Sequence, residues 1–400
     1  MQEFAPEQAK RTLLASLVIA GMGFSVLFPL LAPIGREMGL TELQITSIIG
    51  ASSLTVFLAM PIWGRLSDRL GRKRVMMIGI FGFSAGTVLF NSVLGLGLSG
   101  ALLGLPLFIT LVVARIMHAG VMSASMPAST AYMADITTPE ERTRGMGATG
   151  AANNVGQILG PAVSGLAFVG LLFPLWVMAA LAFFNGLFVW RFLKEPPKPD
   201  VPRKAPPRMK YTDPRILPFV IVCVLMFRGF ALVQQTMGFR FQDALGLTAA
   251  ETARSFGLAM MASAVCSLFA QGFVVQRFNF APFTLLKMAM PLLIVAFTLM
   301  ATVETQALLT VAMMIQGFGM GLAGPGFTAG ASLAVSAEEQ GAVAGVAGSC
   351  GPLGFSIGPL IGGAMYQLSP VLPYAFAACV YVVLLAFMQW LGNRVTEHRE

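Results

Sequence analysis

Long apolar stretches recur from one end of this chain to the other, and that feature constrains its fold more than any other. The first, 12–34, has no charge between Leu13 and Ile34, and about 20 such residues cross the hydrocarbon of a bilayer as a helix. It follows a short polar start, MQEFAPEQAKR. It is also longer than the roughly 7–15-residue core of a cleaved signal peptide, so it reads as a retained span. Further runs between polar or Pro/Gly breaks lie at 43–63, 75–97, 106–134, 146–167, 171–192, 215–239, 250–275, 281–302, 306–334, 342–367 and 370–393. Twelve spans and their loops consume the 400 residues and leave no soluble domain. The expected fold is an all-α integral membrane protein of twelve transmembrane helices. The 31 Phe, 25 Met and 43 Gly suit such helices, because glycine lets backbones approach closely where lipid removes the hydrophobic drive to pack.

Lys and Arg set the orientation. With the N-terminus inside, the inner segments, inner span ends included, hold all but five of the 26. The exceptions are Arg36, Arg240 and Arg254 in outer segments, and Arg115 and Arg228 inside spans. Cytoplasmic loops carry the excess of basic residues, so both termini are expected in the cytoplasm of a cell with an inner (plasma) membrane. The net charge of +8 is then a topology signal rather than a nucleic-acid footprint. Cys223, Cys266, Cys350 and Cys379 all fall in spans without metal or disulfide spacing, and read as apolar packing.

The hydrophilic stretch LKEPPKPDVPRKAPPRMKYTDPR (193–215) divides the spans six and six, and its seven prolines favour an extended tether. The expected organisation is a six-helix bundle at 1–192, a cytoplasmic linker at 193–214 and a second bundle at 215–400. The halves are internally similar. LGPAVSG (159–165) is echoed by IGPLIGG (357–363), and Glu140-Glu141 by Glu338-Glu339, both 198 residues on. GRLSDRLGRKR (64–74) has a weaker counterpart in GFVVQRFNF (272–280), which keeps Gly272 and Arg277. It places Gln276 at the position of Asp68 and Asn279 at that of Gly71. Asn tolerates a left-handed backbone, so a turn is expected in both, with the acid in the first half alone.

Six plus six spans around a central loop resemble the major facilitator superfamily. Its loop signature between spans 2 and 3 is complete here in Gly64, Asp68, Arg69, Gly71, Arg72 and Lys73. Arg115 and Gly120 in span 4 are similar to that family's Arg-centred motif. In span 5, Gly156, Gly160, Pro161 and Gly165 are similar to the Gly-Pro motif of its antiporter branch, and the drug:proton antiporters are the nearest likeness. The resemblance implies two pseudo-symmetric bundles and a central site facing each side in turn. Asp68, held by arginines in one arrangement and released in the other, is expected to act as a gate, with the loop glycines turning the chain. For span 5, close helix packing and a functional bend at Pro161 both remain open.

Ionisable groups inside a membrane are functional candidates. Arg115, His118, Met122, Ser125, Ser129 and Tyr132 recur at intervals of three and four along span 4. Asn153 and Gln157 lie four apart in span 5, Arg228 and Gln235 seven apart in span 7, and Gln316 sits among glycines in span 10. The resemblance implies that spans 1, 4, 7 and 10 line the cavity, so Arg115, His118, Met122, Asn153, Gln157, Arg228, Gln235 and Gln316 are the candidate substrate-binding residues. All 18 carboxylates lie in loops, tails or span ends, with Asp135 at the inner end of span 4. The membrane-embedded acid that many drug:proton antiporters carry in span 1 is missing.

A cavity with Arg115, Arg228 and a protonatable His118 favours an anionic substrate over a cationic drug. The expectation is a secondary transporter exporting a small amphipathic or anionic (carboxylate-bearing, siderophore-like) molecule, or a drug, on the proton motive force. The alternative is a proton-coupled symporter that imports an organic anion, which a proton on His118 would assist. Asp135, His118 and Asp68 are the proton-coupling candidates. An enzyme is not expected: the chain has two histidines, His118 and the tail's His398, with no paired carboxylates in a span, metal-ligand spacing or phosphate loop. Short loops argue against a receptor. No cofactor and no nucleic acid are expected; the partners are the small-molecule substrate, protons and the bilayer, and a monomer is the expected state.

Overall fold

The computed structural model describes residues 6–196, 209–278, 280–336 and 339–397. Linker residues 197–208, Asn279, Glu338 and His398 lie outside it. The helices are α1 (Pro6–Ser25), α2 (Leu27–Glu37), α3 (Glu42–Leu70), α4 (Arg72–Leu98), α5 (Gly104–Met122), α6 (Ser125–Ile136), α7 (Pro139–Ser164) and α8 (Phe173–Phe192). They continue as α9 (Leu217–Leu245), α10 (Ala249–Phe269), α11 (Gln276–Phe278), α12 (Pro282–Thr302), α13 (Gln306–Leu333), α14 (Gln340–Leu368) and α15 (Leu372–Glu397). Among the described residues 10 helical segments are long and apolar enough to cross a membrane. Helices α7 and α14 are outside that set. In α7 the reason is composition: Asn153, Asn154, Gln157 and repeated glycines dilute its hydropathy. Large apolar side chains face outward along the helices, with Leu58 59%, Phe184 64% and Val383 65% exposed. Such a surface requires lipid as its solvent.

Helix ends follow local chemistry. Thr41 and Gln44 form a reciprocal capping box that starts α3. Thr138, followed by Pro139, starts α7, and Gly246 in the left-handed conformation ends α9. Prolines split two expected spans. Pro29 lacks the N–H that would bond Ser25, where α1 ends. Pro127 likewise deprives Ser123, where α5 gives way to α6.

One expectation about turns is corrected. GRLSDRLGRKR is not an extended loop: α3 stays helical through Leu70, and the chain turns at Gly71 alone, whose φ of +103° disfavours any side chain. Residues 65–70 contain no breaker, and Ser67 donates back to Gly64 O at 2.7 Å. Gly64 therefore makes no turn, and a Cβ there would meet only Pro127 Cβ, at 3.9 Å. In the second half, 272–278 is likewise helical, as a π-segment over Ala270–Val275 followed by α11.

The chain packs as two compact units. The first comprises Met1–Gln44, Ala51–Arg203 and Thr248–Gly257; the second comprises Ile45–Gly50, Lys204–Leu247 and Leu258–Glu400. In the first, α1 packs on α7, and α4 on α5, α6 and α8. Leu13, Leu17, Val75, Met76, Tyr132 and Val189 form part of its core. In the second, α9 packs on α14, and α12 on α13 and α15. Both units use glycine contacts. A Cβ on Gly156 would lie 2.8 Å from Val18 C and 2.9 Å from Gly21 Cα, and one on Gly160 would meet Met22 C at 3.1 Å. In the second unit, a Cβ on Gly354 would lie 2.7 Å from Phe227 C, and one on Gly358 2.8 Å from Arg228 O. Gly354 and Gly358 are Gly156 and Gly160 moved on by the repeat offset.

Candidate functional site

The structure groups the candidate residues into three places. At the α3–α4 junction, the Arg72 guanidinium fans across three partners. Nη2 pairs with Asp68 Oδ1 at 2.5 Å, Nε with Asp135 Oδ2 at 2.8 Å, and Nη1 donates to Ser67 Oγ at 2.6 Å. Asp135 is buried, with 4% of its side chain exposed, whereas Asp68 is 61% exposed. One cation thus ties the end of α3 to the end of α6. Glu195 accepts from the backbone N–H groups of Arg72 and Lys73, the free donors of the first turn of α4. Lys73 Nζ reaches Trp190 O at 2.9 Å, and Tyr132 Oη donates to Lys194 O at 2.6 Å. Arg69 is exposed. Sequence reading missed Glu195. It sits in the stretch assigned to the linker, 123 residues from Arg72, and no spacing pattern connects the two.

The second place lies inside the first unit. Arg115 and His118 are 8% and 4% exposed. Arg115 Nη1 lies 2.8 Å from His118 Nδ1, and the guanidinium sits over the Phe90 ring with Cζ 5.6 Å from its centroid. His118 Nε2 is 3.5 Å from Thr87 Oγ1, and its ring packs 5.1 Å from that of Phe83. The rest of the expected span-4 stripe lies in the same unit. Met122 and Ser125 border a cavity of about 50 Å³ whose wall includes Asn185. Ser129 meets Met76 Sδ at 3.1 Å, and Tyr132 is fully buried. Asn153 and Gln157 bond each other at 2.6 Å on α7. Gly156 and Gly160 pack against α1, Pro161 continues within α7, and Gly165 follows its end with an ordinary φ of −58°.

The third place lies in the second unit. Arg228 is half-buried on α9, and its Nε has no hydrogen-bond partner. Gln235, two turns further on, and Gln316 on α13 are 8% and 1% exposed, and each leaves its Nε2 without a partner. These three groups are all donors, on groups that cannot stay unsatisfied cheaply. Arg240, an expected outer arginine, donates to the Met300, Ala301 and Val303 carbonyls at the end of α12.

Known proteins bear on this arrangement. The sequence profile of the Major Facilitator Superfamily matches residues 13–351 and, in a second stretch, 257–400. Multidrug resistance protein 1 of Bacillus subtilis is 26% identical over 382 residues, covering 94% of each chain. Among solved structures, a bacterial homologue of the human lysosomal transporter Spinster superposes with a TM-score of 0.76 at 15% identity, covering 98% of each chain. The human organic anion transporter MFSD10 (TETRAN) superposes with a TM-score of 0.66 at 20% identity, over 96% of this chain and 100% of that one. With the family profile spanning nearly its whole length, this multi-pass membrane chain belongs to the Major Facilitator Superfamily and is a transporter of small molecules.

Proposed function

We propose that the protein exports a small amphipathic organic anion from a bacterial cytoplasm by alternating access. The observation that carries this reading is Arg228, a half-buried cation on α9 whose Nε lacks a partner, in a helix with no acid before Asp243. A guanidinium kept inside a membrane without a carboxylate suits an anionic cargo. Gln235 and Gln316 add two more unsatisfied donors. Each lies ten residues inside its helix end, at Leu245 and Gln306 respectively, or about 15 Å deep by helical rise. Donors without acceptors suit a carboxylate better than a cationic drug.

On this reading the chain crosses the membrane twelve times, with α7 and α14 included. Residues 1–192 and 215–400 form the two bundles, 193–214 is the cytoplasmic tether, and both termini are cytoplasmic in the inner membrane. The asymmetry of Lys and Arg supports that orientation. The relative named for multidrug resistance supports export, and the fold neighbour named as an organic anion transporter is an instance of this architecture with such cargo. The proton motive force drives transport, with Asp135 as the coupling acid, because it is buried and its partner Arg72 also holds Asp68. His118 does not serve, because Arg115 occupies its Nδ1.

A matched pair of amphipathic ligands, one ending in a carboxylate and one in an ammonium, tests the substrate class by equilibrium binding to the purified protein. The carboxylate should bind more tightly, and Arg228→Gln should weaken it by roughly tenfold or more while leaving the ammonium unchanged. Preferential binding of the ammonium, or an indifferent Arg228→Gln, contradicts the reading.

A further inference from the structure

Arg115 brings a full positive charge into the interior of the first unit, and among the described residues no carboxylate pairs with it. Its geometry is fixed on two sides, by His118 and by the face of Phe90, while Nε stays without a partner. Arginine has no acceptor, so His118 Nδ1 must offer its lone pair and the ring proton sits on Nε2, facing Thr87. The Thr87 hydroxyl receives that contact and keeps its own proton for another acceptor. Arg115, His118 and Thr87 line one small cavity, whose remaining wall is apolar: Gly23, Val26, Leu27, Phe83, Leu175 and Met178 close it with Phe90. A cation enclosed in such surroundings is strongly unfavourable unless a counter-charge joins it.

We propose that this cavity is a binding site for one compact monovalent anion, held by the Arg115 guanidinium and the Thr87 hydroxyl, with His118 as the residue that positions Arg115. The groups around His118 are Arg115 on α5, Thr87 and Phe83 on α4, Leu175 and Met178 on α8, and Gly23, Val26 and Leu27 on α1–α2. Arg115 is the sole charged group among them. A proton on Nδ1 would set two donors against each other, so the site keeps one positive charge, and anion affinity stays level from about pH 8 to 5. The site is independent of what Arg228 binds.

The test uses the full-length protein in nanodiscs, titrated with sodium chloride against sodium gluconate at equal ionic strength, with the thermal unfolding midpoint as readout. Chloride should raise the midpoint saturably and gluconate should not. An acetate arm distinguishes a halide site from one that also takes a carboxylate. Arg115→Gln should abolish the chloride-specific rise, and Thr87→Val should weaken the apparent affinity roughly tenfold, the scale of one charge-assisted hydrogen bond. If Arg115→Gln does not fold, Thr87→Val decides. His118→Gln retains an acceptor for Arg115 and should keep a pH-independent response. Arg228→Gln should leave the response intact, which separates this site from the substrate site. Equal midpoints in chloride, acetate and gluconate overturn the proposal, as does a rise undiminished in Thr87→Val. A wild-type affinity that climbs below about pH 6.5, and is flat in His118→Gln, overturns the role given to His118.

Discussion

Replacing Gly156 by Ala adds a single methyl group where α7 meets α1. That methyl would lie 2.8 Å from Val18 C and 2.9 Å from Gly21 Cα, against an ordinary contact range of 3.4–4 Å. The opposing atoms are backbone and cannot rotate away, so the helices must part by at least the difference between 2.8 and 3.4 Å. Overpacking of this kind costs about 1–3 kcal/mol. Helix propensity works in the opposite direction, since Ala is favoured over Gly in a helix interior by about 1 kcal/mol. The same helix supplies its own controls: Gly147 and Gly150 have nothing within 4 Å of an added Cβ, so Ala there keeps the propensity gain without the clash. Gly150→Ala should therefore be more stable than Gly156→Ala by about 1–3 kcal/mol, roughly a 5- to 150-fold difference in the unfolding equilibrium. Thermal or denaturant unfolding of the purified protein, followed by thiol exposure of its buried cysteines, reads this directly. Equal stability of the two variants would refute close packing as the reason for glycine at position 156.

Two further outcomes follow from the inner-face contacts. Asp135→Asn strips a buried partner from Arg72 and should cost about 3 kcal/mol, whereas Asp68→Asn, at an exposed carboxylate, should cost under about 1 kcal/mol yet slow transport. Unfolding midpoints and initial flux rates measure both, and unchanged flux in Asp68→Asn removes its role as a gate. Arg215 bonds Asp213 and Glu339 and holds both carboxyls below their usual range. Depressed carboxyls contribute stability above their unfolded pKa, about 4, and lose it as pH falls through the folded value. The difference in midpoint between wild type and Glu339→Gln should thus be level from about pH 8 to 5, vanish in strongly acid solution, and shrink with salt at any pH.

The apolar runs made the helices legible, because a lipid-facing helix must be oily along its whole length. Where sequence reading failed, long-range or very local geometry decided. GRLSDRLGRKR looked like a loop because charge and glycine usually mark one, yet a single left-handed residue, Gly71, suffices to reverse the chain. The breaks within spans 1 and 4 follow from Pro29 and Pro127, whose effect on the carbonyl four residues earlier is invisible to a hydropathy count. Spacing correctly put Arg115 and His118 on one face. It could not say that this face meets Phe83, Thr87 and Phe90 of α4. Glu195 was out of reach for a different reason: it meets Arg72 only once α8 has folded back beside α4.

The most direct test of an anion exporter is flux in proteoliposomes, with a pH gradient and a membrane potential imposed separately, across a panel of amphipathic carboxylates and matched ammonium compounds. Carboxylates should move saturably, driven by the proton gradient, and their flux should be lost in Arg228→Gln. Transport confined to the ammonium compounds, or carboxylate flux that Arg228→Gln leaves unchanged, would contradict an anion exporter built around Arg228.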